Sequence, residues 1–220
     1  MNVKYIVVLF VSVLVARTAE AQGGLYEKAG VIQIKDPKAL MSGSVRAEKD
    51  LFKLTLENVG DYTGHTCGCD AAGFLITKNV LATLFPGQTP SRGTLRISIS
   101  EYNMDLIDSI TFITGTRLNR GEYSNTESDF TIDKTLTGEE GTTTLVYERR
   151  DNGKKVKVVI DRRKLLTKDQ MRVSSVVKAK IMKGTASDAE KKEFATTTQD
   201  IVRKEILQLP EGSFVYTALN

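Results

Sequence analysis

The chain has 220 residues, with 31 Lys and Arg against 27 Asp and Glu, a formal net charge of +4, 40% hydrophobic residues and no tryptophan. That length suits one domain with its own core, and the composition is that of an ordinary soluble globular protein. The charge is too weak to argue for nucleic acid. One His and two Cys confine any soft-ligand chemistry to a short stretch.

The chain opens on the pattern of a cleavable export signal. Lys4 supplies a positive start, Tyr5 to Ala16 is an uncharged apolar run, and Ala19-Glu20-Ala21 places small residues where a signal peptidase reads. The run is about half the ~20 residues needed to cross a bilayer. Residues 1–21 are therefore expected to be removed, leaving an exported protein, periplasmic or extracellular, that starts at Gln22. Nothing later in the chain is apolar enough to span a membrane. Residues 22–45, rich in Gly and Lys, read as a loosely ordered arm.

From Arg46 to Val59, Phe52, Leu54 and Leu56 alternate with Lys53, Thr55 and Glu57, which fits a strand or the entry to a short helix. Gly64 to Cys69 is a turn-like knot. Asp70 suits a cap for the helix expected over Ala71 to Phe85, stopped by Pro86-Gly87. Thr94 to Ser100 alternates as a half-buried strand. Asn103 suits the N-cap of a helix running to about Thr114, with Gly115 as its C-terminal cap. Thr143 to Ile160 reads as a hairpin turning at Asp151-Asn152-Gly153. The last third reads as helical, with a capping box at Ser187-Asp188-Ala189-Glu190, a helix to about Leu207, and an apolar tail, Phe214 to Leu219, that suits an edge strand. These elements predict an α+β fold: a mixed sheet with packed helices, one hairpin and a C-terminal helical segment.

Charge is uneven along the chain. Glu148 to Lys183 holds thirteen Lys or Arg against four Asp or Glu. That surplus fits a solvated strand and helix face, the alternative being contact with an acidic partner.

Thr63-Gly64-His65-Thr66-Cys67-Gly68-Cys69 is the dense cluster of soft ligands. Imidazole and thiolate together suit Zn²⁺ and similar borderline metals. A helix N-terminus just downstream favours thiolate. One intervening residue makes Cys67 and Cys69 a poor disulfide pair. That leaves metal binding, thiol chemistry, or a turn whose His and Cys simply pack. Glu101, Asp105 and Asp108 form a second cluster, where acids also complement a helix dipole.

These stretches together resemble the E subunit of formylmethanofuran dehydrogenase and its stand-alone relatives, over about Leu54 to Phe214. The family's His-x-His-x-Cys-Pro-Gly knot is matched by His65 and Cys67, with Thr63, Gly68 and Cys69 standing for its first His, its Pro and its Gly. Its Cys-x-x-Asp is matched by Asp105-Leu106-Ile107-Asp108, with Asp105 at the Cys. Its Thr-Gly-Cys-Thr and Gly-Lys-Gly turn fall at Thr114-Gly115-Thr116-Arg117 and Asn119-Arg120-Gly121, with Thr116 at the second Cys. Ile181 to Ala186 looks like the family's C-terminal part.

The resemblance implies a family domain over 46–168 with a C-terminal helical extension over 169–220, and a homodimer. It pairs His65 and Cys67 with Asp105, with Cys69, water or a bound molecule as the remaining ligand. It does not imply dehydrogenase activity: the chain has no molybdopterin-binding signature. The leading expectation is an exported metal-binding module, with zinc or another divalent transition metal, whose ligand or partner the sequence does not name. A metal- or thiol-dependent enzyme and a structural domain without metal are the alternatives.

Overall fold

The computed structural model describes residues 24–42, 50–118, 129–136 and 138–219. The export signal and Asn119-Arg120-Gly121 lie outside the described residues.

The segment expected as a loose arm is partly built into the fold. Residues 24–27 are helical, and strand β1 (Ile32–Lys35) and helix α1 (Pro37–Met41) follow. β1 alternates, burying Ile32 and Ile34, and pairs antiparallel with β2 (Leu51–Leu54). Lys78 donates to the Ala29 carbonyl at 2.6 Å and fixes the turn before β1. An alternation of only four residues, beside Gly and Lys, is too short to stand out as a strand from sequence.

The ambiguous stretch near Val59 proves to be both a strand and a helix. β2 ends at Leu54, and Thr55 caps α2 (Leu56–Thr63): the Thr55 hydroxyl accepts from the Asn58 N–H while the Asn58 side chain accepts from the Thr55 N–H. Helix α3 (Gly68–Leu84) then runs through the centre of the molecule, burying Ala72, Phe74, Ile76 and Val80 completely or nearly so. A helix apolar on most of its faces needs cover on most of its faces. It is covered by α4 (Met104–Thr114), by the long helix over Asp188–Leu207, and by the main sheet.

The main sheet has five strands in the order β4-β3-β5-β6-β7. They are β3 (Leu95–Ile99), β4 (Phe130–Ile132), β5 (Thr142–Arg149), β6 (Lys155–Asp161) and β7 (Phe214–Leu219). β4 is parallel to β3 and every other pairing is antiparallel, so the sheet is mixed. The expected hairpin is β5–β6, in register from Thr142↔Asp161 to Glu148↔Lys155. β7 lies at the sheet edge beside β6. β4 has three residues and no turn signal of its own, and sequence gave no hint of it. Tyr147 on β5 is fully buried, and its hydroxyl lies 3.2 Å from that of Thr77, which ties the sheet to α3.

After β6 the helical region is broken into short pieces: α5 (Arg162–Leu165), α6 (Lys168–Arg172), a π-helical turn (Val173–Val177) and α7 (Lys178–Met182). α8 (Asp188–Leu207) follows, opened by the Ser187/Glu190 capping box. The fold is α+β. Among the described residues no helix is long and apolar enough to cross a membrane.

Candidate metal centre

α2 ends at Gly64, which takes the left-handed conformation (φ +81°) and donates its N–H to the Gly60 carbonyl. That cap reverses the chain and delivers His65 and Cys67 to one place. Thr63 helps hold the turn: its hydroxyl lies 3.0 Å from the Val59 carbonyl and 2.7 Å from that of His65. The His65 ring, half exposed, places Nδ1 3.3 Å from the Thr63 carbonyl. A carbonyl only accepts, so Nδ1 is the donor in this contact.

Cys67 is the N-cap of α3, with φ −116° and ψ 178°. Its N–H donates to Asp70 Oδ2 at 2.9 Å. Asn103 caps α4, accepting from the Leu106 N–H at 3.2 Å, and Asp105 follows in the first turn. The first turns of α3 and α4 therefore face each other, and the positive ends of both helix dipoles meet the same anionic groups.

Four donor atoms converge there. Cys67 Sγ is 3.6 Å from Asp105 Oδ2. His65 Nε2 is 3.9 Å from Asp105 Oδ2 and 3.8 Å from Asp70 Oδ2. His65, Cys67 and Asp70 offer atoms all within 4.8 Å of one another. Asp70 is fully buried and its Oδ1 has no hydrogen-bond partner; burial raises its carboxyl above the ordinary value. Lys178, on α7, reaches to 3.6 Å from Asp105 Oδ2.

Cys69 lies one turn deeper. Its Sγ accepts from Asn103 Nδ2 at 3.4 Å. Contact with Cys67 lowers the Cys69 thiol from its ordinary value, and the same contact, with burial, pushes the Cys67 thiol up. Both cysteines are free. Glu101, from the second acidic cluster, turns away from this centre and pairs with Arg162 at 3.0 Å and with the Thr143 hydroxyl at 2.5 Å.

Asp70 and Lys178 did not emerge from sequence as members of the centre. Asp70 reads as the cap of a helix starting at Ala71; the helix starts instead at Gly68 with Cys67 as its N-cap, and Asp70 is its third residue, whose carboxylate accepts from the Cys67 N–H. Its third-turn-position spacing from Cys67 was the available signal, since a capping box turns that carboxylate back onto the N-cap residue. Lys178 sits among many lysines, and nothing local distinguishes it.

A cavity of about 410 Å³ opens beside the centre, lined among others by Cys67, Cys69 and Asp105. Glu205 of α8 also lines it, 3% exposed, and its Oε2 has no hydrogen-bond partner. Ile201 and Glu205 are four apart on the inner stripe of α8, so an acid at an apolar position of the helical repeat was the legible clue.

No curated protein and no solved structure compared with the chain matches it. The family model described as FmdE, Molybdenum formylmethanofuran dehydrogenase operon, matches residues 62–215, which take in α3, α4, the main sheet and α8. The match spans well over half of the chain and includes the whole His65–Asp105 centre: the chain belongs to the FmdE family.

Proposed function

We propose that the protein is an exported metal-binding module that holds one divalent transition metal, zinc by its donor chemistry, between the N-termini of α3 and α4. The observation that carries this reading is the convergence of His65, Cys67 and Asp70, whose donor atoms all lie within 4.8 Å of one another, with Asp105 Oδ2 3.6 Å from Cys67 Sγ and 3.9 Å from His65 Nε2. Zinc bonds of ~2.0–2.3 Å at tetrahedral angles put ligand atoms roughly 3.3–3.8 Å apart. The Cys67–Asp105, His65–Asp70 and His65–Asp105 separations of 3.6, 3.8 and 3.9 Å fall at or just beyond that range. The donor set of one imidazole, one thiolate and two carboxylates is borderline in softness, as zinc prefers.

The chain's own residues prepare the set. With Nδ1 donating to the Thr63 carbonyl, a neutral His65 ring offers Nε2 as the ligand. The orphaned Oδ1 of Asp70 is a buried acceptor that a cation would satisfy. Two helix N-termini offset the gathering of three anions. A bound cation would turn the Cys67 thiol into a thiolate, reversing the upward push of its surroundings. Lys178 beside Asp105 would limit the surplus negative charge.

Export rests on the apolar run and the Ala19-Glu20-Ala21 pattern. N-terminal sequencing of protein recovered outside the cytoplasm should begin at Gln22; an intact Met1 form in the membrane fraction would overturn it. We also infer a homodimer, from the resemblance alone; measurement of the mass in solution tests it. A metal- or thiol-dependent enzyme is the second reading, and the cavity beside the donors favours it over a purely structural centre.

Elemental analysis of purified protein tests the metal. Wild type and Cys69→Ala should carry zinc near one per chain, while Cys67→Ala, Asp70→Asn and Asp105→Asn should lose most of it. Full retention in Cys67→Ala together with Asp105→Asn would sink the site as drawn.

A further inference from the structure

The cavity beside the centre is built unlike a gap between packed helices. Leu106, Ile160, Leu165 and Ile201 give its walls an apolar stretch among polar and charged groups. Its volume of about 410 Å³ lies within the range of small-molecule sites. Among its charged groups the two cations are exposed and the two acids, Asp105 and Glu205, are nearly or fully buried. Arg162 and Lys178 have side chains 43% and 52% exposed, and they mark the mouth. Glu205, 3% exposed, marks the interior.

Glu205 is the observation that points to a ligand. A buried carboxyl is ordinarily hydrogen-bonded, because an unpartnered polar atom forfeits its hydration for nothing. Its Oε2 has no partner. Nor is the residue there to fill space cheaply: Gly68 must lack a side chain for α8 to approach, since a Cβ at Gly68 would sit 2.6 Å from Ile201 and 3.3 Å from Glu205 Oε1. The chain thus brings α8 close against the start of α3 and places an unsatisfied acid at that contact. At the mouth, Arg162 gives one Nη2 contact to Glu101 and Lys178 pairs with Asp105. A guanidinium has five N–H groups and an ammonium three, so both retain donors for an incoming anion.

We propose that this cavity binds a small amphipathic carboxylate whose far end carries a hydroxyl or N–H group: the carboxylate meets Arg162 and Lys178, the apolar body lies along Leu106, Ile160, Leu165 and Ile201, and the far-end group donates to Glu205. The inference extends the metal reading, because the cavity opens onto Cys67 and Asp105, and its test separates the two.

Three flexible probes, 8-hydroxyoctanoate, octanoate and 1-octanol, are titrated calorimetrically into the zinc-loaded full-length mature protein, with zinc content measured on the same samples. 8-Hydroxyoctanoate should bind, and each probe lacking one end group should bind roughly tenfold more weakly. Glu205→Leu should erase the difference between 8-hydroxyoctanoate and octanoate while keeping its zinc. Lys178→Gln should instead erase the difference between 8-hydroxyoctanoate and 1-octanol. Equal binding of all three probes, no binding of any, or undiminished discrimination in the Glu205→Leu variant would overturn the proposal. Probe binding by a protein without zinc would overturn the metal reading alone, and zinc without probe binding would overturn this one alone.

Discussion

Glu205 is a residue whose cost to the folded state is visible. A buried polar group with an unmet hydrogen bond destabilises by roughly 1–3 kcal/mol. Burial is also the first cause raising its carboxyl well above the ordinary value, followed by the nearby Cys69 and Asp70 charges. Glu205→Leu replaces that acid by an apolar group on an apolar stripe beside Ile201. In a protein of this size 1 kcal/mol corresponds to about 2–4 °C. The variant should therefore melt roughly 2–12 °C above wild type by scanning calorimetry. An unchanged or lower melting temperature would show that the carboxyl is satisfied in solution. The same scale shows where sequence reading stops. His65 and Cys67 were legible because soft ligands are rare in this chain. Asp70 was legible only as a cap, since its second role depends on the turn after Gly64 bringing His65 back over the start of α3.

At the scale of elements, those marked by a cap and a clear period were readable. α4 carries Asn103 at one end and Gly115 (φ +71°) at the other, and α8 carries its capping box. The hairpin announced itself through two alternating arms and Asp151-Asn152-Gly153. Gly153 has φ +71° with open space around it, so conformation and not crowding demands glycine. Gly153→Val should cost roughly 1–2 kcal/mol in denaturant unfolding, most of it from backbone strain. β1, β4 and the short helices after β6 were not readable, because three- to five-residue elements have too few periods to show a pattern. The capping box also has a pH signature. Glu190 accepts from Lys180 and from the Ser187 N–H and hydroxyl, and these partners hold its carboxyl down to about 2. A carboxyl depressed on folding stabilises above its unfolded value and loses that contribution as pH falls toward the folded one. Ser187→Ala should cost about 1 kcal/mol at neutral pH. That deficit should narrow as pH drops from about 4.5 toward 2, as followed by thermal melts.

At the scale of the molecule, the centre exists because two helices start at the same point and stay close behind it. α3 contributes Cys67 and Asp70, α4 contributes Asp105, and neither segment contains a complete site. The helices approach closely at Gly73, where a Cβ would lie 2.6 Å from Ser109 Oγ and 2.8 Å from Ser109 Cβ. Ser109 Oγ also donates to the Asp70 carbonyl at 3.1 Å, so one residue of α4 fixes both the spacing of the pair and the start of α3. Gly73→Ala must push α4 away from α3, and overpacking of this kind costs about 1–3 kcal/mol. Because the donor atoms are split between the two helices, the same displacement should loosen the metal centre, which lies a turn or more from the substitution. The expected result is a lower melting temperature together with weaker zinc retention against a competing chelator. Gly73→Ala combined with Ser109→Gly removes the clashing atoms and should recover part of both. Loss of stability with zinc retention unchanged would mean that the Cys67 and Asp105 ends of the two helices are held by their own turns and not by the packing behind them.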